Sequence, residues 1–124
     1  MFATYNRALI EKNYRLLGEQ LAVPFIVVDS TTRLVGDLNA VVEGLRKVRE
    51  AMDQQGYATS TLGLARFIRL AEDRLLVERA VHHLKHDGSL LVERANVYIV
   101  RKSSGRWRIA GAIQQDPKFV GKID

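Results

Sequence analysis

Arginines at positions 66, 79 and 94 stand within runs of Leu, Val and Ile, and they are the residues whose type and spacing most demand a chemical explanation. A guanidinium keeps its charge and presents a planar fork of donors, so on an apolar strand face it needs a carboxylate or a polar opening. Pairing the strands through two-residue turns puts Arg66 opposite Arg79, Arg79 opposite Asn96, and Arg94 diagonally beside them. Two arrangements satisfy that face. Either Glu43, Glu50 or Asp29 reaches over from the covering segments, or the arginines border a cavity that accepts an anionic ligand. A planar carboxylate suits the guanidinium fork, and an apolar ligand body would then lie against Trp107, Tyr98 and Leu64.

The histidines at 82, 83 and 86 form the second group able to do chemistry. On a strand His82 and His83 point to opposite faces, and His82 and His86 lie roughly 13 Å apart at strand rise, too far to share one metal ion. No metal site is expected. His83 alone shares the face of the arginines, either as a base or as a histidine satisfied by its surroundings. The absence of cysteine rules out disulfide and thiolate chemistry.

The elements that position these residues follow from turn chemistry and periodicity. Glu72-Asp73, Asp87-Gly88 and Ser103-Ser104-Gly105 punctuate four β-rich runs, at about 62–71, 74–86, 89–102 and 106–115. Large side chains gather on one face, which includes Leu62, Leu64, Leu75, Val77, Tyr98, Trp107 and Ile109. Gly63, Ala65, Phe67, Ala80, Ala95, Ala110 and Ala112 gather on the other. The first face should carry the helices, because it needs the greater burial. The small-residue face then predicts a homodimer pairing through the sheet.

Ahead of the strands, Phe2, Tyr5, Leu9 and Leu16 form a helical stripe, and a helix is expected from about Phe2 to Leu17, broken at Gly18. Pro24 opens a brief strand, Phe25 to Val28, followed by a loop. Asp37 is placed to cap a second helix carrying Leu38, Val41, Leu45, Val48 and Met52, and Gly56 to stop it. The expected fold class is α+β: N-terminal helices against an antiparallel sheet of four long strands and one short strand. No linker or repeat divides the 124 residues, so they read as one domain.

The chain is 47% hydrophobic and 27% charged, with a net charge of +5 and a pI of about 9.8. Its cations concentrate in the last hairpin (Arg101, Lys102, Arg106, Arg108) and on the middle helix (Arg46, Lys47, Arg49). Because Trp107 points inward by parity, the hairpin lacks an aromatic platform for bases, and nucleic acid is not the expected partner. The beginning of the chain does not read as a signal peptide, and the longest apolar run near it, Ala22 to Val28, contains Pro24 and is too short to span a bilayer. A soluble cytoplasmic protein without a membrane segment is expected.

Tyr5-Asn6-x-Ala8-Leu9, Ala22-x-Pro24-Phe25 and the closing run Gly105-Arg106-Trp107-Arg108-Ile109-Ala110 resemble the nuclear-transport-factor-2-like superfamily. Ketosteroid isomerase, scytalone dehydratase and SnoaL-like cyclases share that fold, and the ending most resembles small bacterial SnoaL-like proteins. The resemblance implies a cone: a curved sheet wrapped on helices around a pocket. It also implies catalytic candidates, with Tyr14 as hydrogen-bond donor, Asp29 as base and His83 as the alternative base. The isomerase's second, protonated acid has no counterpart, since residues 95–100 read Ala-Asn-Val-Tyr-Ile-Val. The expectation is a small-molecule binding domain without cofactor, its pocket bordered by Arg66, Arg79, Arg94, Asn96, Tyr98 and Trp107. Isomerase, dehydratase or cyclase chemistry remains open. The alternative is a non-catalytic dimeric module that contacts a protein or nucleic acid through the basic hairpin.

Overall fold

The computed structural model describes residues 1–121. The elements run α1 (Phe2–Glu11), α2 (Tyr14–Glu19), β1 (Leu21–Val28), β2 (Thr32–Val35), α3 (Leu38–Gln54), β3 (Tyr57–Ala71), β4 (Arg74–Lys85), β5 (Leu90–Ser103) and β6 (Arg106–Gln115), then a 3-10 turn at Pro117–Phe119. The six strands form one curved sheet in the order β2-β1-β6-β5-β4-β3. All its pairings are antiparallel except β1 with β6, which is parallel.

The first helix ends earlier than its apolar stripe suggested. Lys12 takes a left-handed conformation at φ 57, and the Asn13 side chain accepts from Leu16 N at 3.1 Å, starting α2 afresh. Gly18 stays inside α2, facing α3, where a Cβ would meet Val42 and Leu38 at the ordinary contact distances of 3.6 and 3.8 Å. Asp37 caps α3 as expected, accepting from Asn39 N at 3.0 Å, and Gly56 at φ 90 stops it. The expected loop after Val28 is a hairpin instead. Asp29 Oδ1 accepts from Thr31 N at 3.0 Å, a side-chain-closed turn that folds β2 back on β1. The sheet therefore has six strands, not five.

Register decides which residues face inward. Across β4 and β5 the expected pairing holds, with Arg79 opposite Asn96 and Val81 opposite Arg94. Across β3 and β4 it does not. An irregularity between Arg69 and Ala71 slips the register by one, so Arg66 stands opposite Glu78 rather than Arg79, and a second between Leu62 and Ala65 slips it again beyond Arg66. Leu64, Arg66 and Ile68 consequently face outward, and Ala65 and Phe67 face in. The last hairpin keeps its parity, with Lys102 opposite Trp107, but a bulge after Ile109 turns Gly111 and Ile113 to the outer face.

The concave face and the helices enclose the core. Leu17, Val77, Val100 and Ile109 are fully buried, joined by Phe2, Ala8, Leu21, Phe25, Val41 and Tyr98. Each large aliphatic group removed from water contributes about 1.5–3 kcal/mol, which fixes the helical layer to this side of the sheet. Arg49 of α3 ties that layer together. Its Nε donates to Leu9 O at 3.0 Å and its Nη2 to Ile10 O at 3.2 Å, so it clasps the end of α1 while pairing with Asp53. Among the described residues no helix is long and apolar enough to cross a membrane.

Candidate functional site

The curvature of the sheet leaves a cavity of about 860 Å³ between α3, the β1–β2 hairpin and the concave faces of β5 and β6. Phe25, Val27, Val35, Val41, Leu45 and Val48 make its apolar wall. The opposite wall is polar: Arg94, Asn96 and Tyr98 project from alternate positions of β5, beside Gln114 of β6 and Tyr5 of α1. Alternation along β5 places all three side chains on one face.

Asn96 Nδ2 donates to Tyr98 Oη at 3.3 Å. Burial pushes the Tyr98 phenol up from its ordinary range and the Tyr5 phenol well above it, so both stay protonated and able to donate. The rings of Tyr5 and Tyr98 meet edge to face at 6.2 Å between centroids. Arg94 is exposed to the cavity and makes no ion pair among the described residues. At the rim Asp29 grips Arg33 through two bonds, Nη1 to Oδ1 and Nη2 to Oδ2, each 3.1 Å. The Arg33 guanidinium holds the Asp29 carboxyl below the usual carboxylate range.

Residues 1–117 of the sequence match the family described as NTF2-like protein (DUF6841). The chain belongs to this NTF2-like family. Its fold is similar to solved structures throughout. Aln2 from a Streptomyces species superposes with a TM-score of 0.74 at 14% identity, covering 96% of this chain and 87% of that one. An NTF-2 like protein of unknown function from Shewanella oneidensis gives 0.73 at 10% identity, with 93% of each chain covered. An ntf2-like protein with a cystatin-like fold from Novosphingobium aromaticivorans gives 0.72 at 14%, covering 91% and 75%. At these identities the likeness is one of fold. No curated protein matches the sequence.

Within this NTF2-like domain the sequence candidates separate. Arg94, Asn96, Tyr98 and Asp29 line the cavity. Arg79 lies one strand beyond Asn96, outside the wall, with its guanidinium 5.7 Å from the Phe2 ring and Nη2 3.4 Å from Gly63 O. Its Nε is buried with no hydrogen-bond partner among the described residues. Arg66 is on the outer face, where its Nε donates to Glu78 Oε1 at 2.7 Å. The slipped register of β3 put it there, and neither Arg66 nor the outward Leu64 belongs to the pocket. Trp107 faces inward as expected but lies outside the cavity, under Arg69 at 5.5 Å and Lys102 at 6.0 Å.

Tyr14 is on α2, beneath the Arg46 guanidinium at 4.5 Å, in a separate groove. The first-helix tyrosine at the cavity is Tyr5, which reads in sequence as one more member of an apolar stripe; only its hydroxyl distinguishes it. His83 also stands apart from the cavity wall. Its Nδ1 is 2.7 Å from Ser60 Oγ, which is 2.6 Å from Tyr57 Oη. Burial, with the Arg94 and Arg49 charges nearby, pushes His83 down to about 4. The ring is therefore neutral at neutral pH and a weak base there, bonded to Ser60 with the direction set by its tautomer. The outer-face histidine, His82, pairs with Glu93 at 2.8 Å across the strands. Tyr14, Asp29 and His83 thus sit in three different environments, and no acid–base pair is assembled from them. Among the described residues no group of three potential ligands could hold a metal ion.

Proposed function

We propose that this chain is a small-molecule binding domain whose cavity takes a ligand with an apolar body and one anionic group. The observation that carries the reading is Arg94: a cation with no ion partner among the described residues, in a cavity whose facing wall is aliphatic and aromatic. A carboxylate at Arg94 would gain a charge-assisted fork, with Asn96 and Gln114 beside it to fix orientation. The body would lie against Phe25, Val41 and Leu45. The acids of the lining are engaged elsewhere, Asp29 by Arg33, Glu93 by His82 and Asp116 by Lys118, which leaves Arg94 without a carboxylate of the chain. The reading is one of binding; no proton transfer is assigned to Tyr14, Asp29 or His83.

As partner we propose a second copy of the chain, seated on the outer sheet face. Ile68, Leu76 and Ile99 follow one another in register across β3, β4 and β5, an apolar row that the helices leave uncovered, bounded on β6 where Ile26 lies over Gly111. Part of the small-residue face is already occupied, because Gly121 N reaches Glu78 on this side and Ala95 is only 1% exposed. The dimer would use the apolar row beside that tail. Size-exclusion chromatography with light scattering tests it, and a monomer at high concentration would sink the dimer without touching the ligand reading.

For the ligand, native mass spectrometry of the purified protein should retain a small acid. Calorimetry with a series of apolar carboxylates should then show binding that weakens at least about tenfold in Arg94→Gln, equivalent to 1.4 kcal/mol. Equal binding of a carboxylate and its amide would overturn the proposal.

A further inference from the structure

On the outer face, Arg74, Arg101 and Arg108 stand directly opposite one another on β4, β5 and β6. Neighbouring strands lie about 4.8 Å apart, so the three side chains rise from one short row. Like charges placed directly opposite are unfavourable, and little in the fold offsets them. Arg74 has the sequence-adjacent and exposed Asp73 at 3.0 Å. Among the described residues Arg101 has only a backbone carbonyl, Val23 O at 3.0 Å, and Arg108 only Ser103 O at 3.5 Å.

Arg108 also borders a groove of about 520 Å³ whose wall includes Arg15 and Tyr14 of α2 and Arg46 of α3. Arg15 makes no ion pair among the described residues, and Arg46 shares Glu43 at 3.2 Å. Glu19 is the acid within the groove wall. Five arginines therefore face three acids: Asp73, Glu43 and Glu19.

We infer that this arginine row is a binding site for a ligand carrying adjacent phosphate groups. Successive guanidinium forks at strand spacing suit successive phosphates: a terminal phosphate offers three non-bridging oxygens and an internal or diester phosphate two, each with lone pairs enough to accept from more than one donor. A single carboxylate presents its oxygens at one point of the row, whereas adjacent phosphates repeat their acceptors along it. The phosphates come either from a compact polyphosphate or from a nucleic-acid backbone. The site is separate from the cavity and does not depend on what the cavity binds.

The test is titration of the full chain with inorganic tripolyphosphate by calorimetry and with a short labelled single-stranded DNA by anisotropy, at about 0.1 M salt. Saturable binding is expected, weakened at least about tenfold in the double variant Arg74→Gln/Arg108→Gln and unchanged in Arg7→Gln, a charge removed from exposed α1. Tripolyphosphate binding as tightly as DNA identifies a compact ligand; tighter DNA binding with a steep salt dependence identifies a backbone. Both substitutions leave the Val23 contact of Arg101 intact, and circular dichroism checks the fold. Absence of saturable binding by either probe would overturn the site. So would polyglutamate binding as tightly as phosphate, or a folded double variant binding like the parent.

Discussion

Arg66 Nε and Glu78 Oε1 are 2.7 Å apart on the outer face, across the hairpin of β3 and β4. Glu78 also accepts from Gln115 Nε2 at 2.8 Å and from Gly121 N at 3.2 Å. One nearly buried carboxylate thus ties the edge strand, the end of β6 and the chain's last described residue. The Gln115 bond, then Arg66, holds the Glu78 carboxyl below the usual range.

Replacing Glu78 strands three donors, whereas replacing Arg66 removes one half-exposed partner. Glu78→Ala should cost about 1–3 kcal/mol in urea denaturation, and Arg66→Ala about 0.2–1 kcal/mol. Because the folded carboxyl is the stronger acid, its contribution is complete above the unfolded carboxyl's range and is lost as pH falls through the folded one. Equal losses for the two variants would refute this hierarchy.

His83 gives a second pH dependence in a different window. Its value falls from 6.5 to about 4 on folding, so the unfolded chain binds the extra proton. Stability from the neutral ring is complete above pH 6.5 and drains away toward pH 4, by an amount on the order of 3 kcal/mol. His83→Gln should flatten the slope of the urea midpoint between those values. An unchanged slope would show that His83 is not its source.

Arg49 is only 5% exposed, and its guanidinium stacks 4.1 Å from the Tyr57 ring while holding two carbonyls of α1. Arg49→Met, which abandons Asp53 and both carbonyls, should destabilise by about 3 kcal/mol. Arg49→Lys should recover little, because a single ammonium cannot span the two carbonyls and stack as well. Full rescue by lysine in a thermal melt would contradict the clasp.

Two glycines predict opposite signs. At Gly111 a Cβ would fall 2.4 Å from Ile26 Cγ2 and 2.9 Å from Ile26 O, so Gly111→Ala should cost about 1–3 kcal/mol by overpacking. At Gly44, inside α3, a Cβ meets nothing within 4 Å, and Gly44→Ala should add about 0.5–1 kcal/mol of helix stability. Chemical denaturation of the two variants checks both signs.

Local chemistry made much of this protein legible in its sequence. Asp37 and Gly56 bounded α3, the turn residues bounded four long strands, and the alternation along β4 and β5 assigned Arg94, Asn96 and Tyr98 to one inward face, because side-chain direction has a strict period of two. The β1–β2 hairpin was not legible, since a four-residue strand between Thr32 and Val35 carries too little pattern to outweigh its turn residues.

Tertiary structure decided the rest. One slip in β3, between Arg69 and Ala71, turned Arg66 away from the cavity and onto Glu78, and a bulge after Ile109 brought Ala112 inward in place of Gly111 and Ile113. Bulges answer to sheet curvature and to packing against the helices, which no window of neighbouring residues contains. The break at Lys12 and Asn13 likewise set Tyr5 at the cavity and Tyr14 in the other groove. Sequence determines which residues share a face while a strand is regular; only the folded sheet determines where that regularity stops, and here those stops choose the residues of the site.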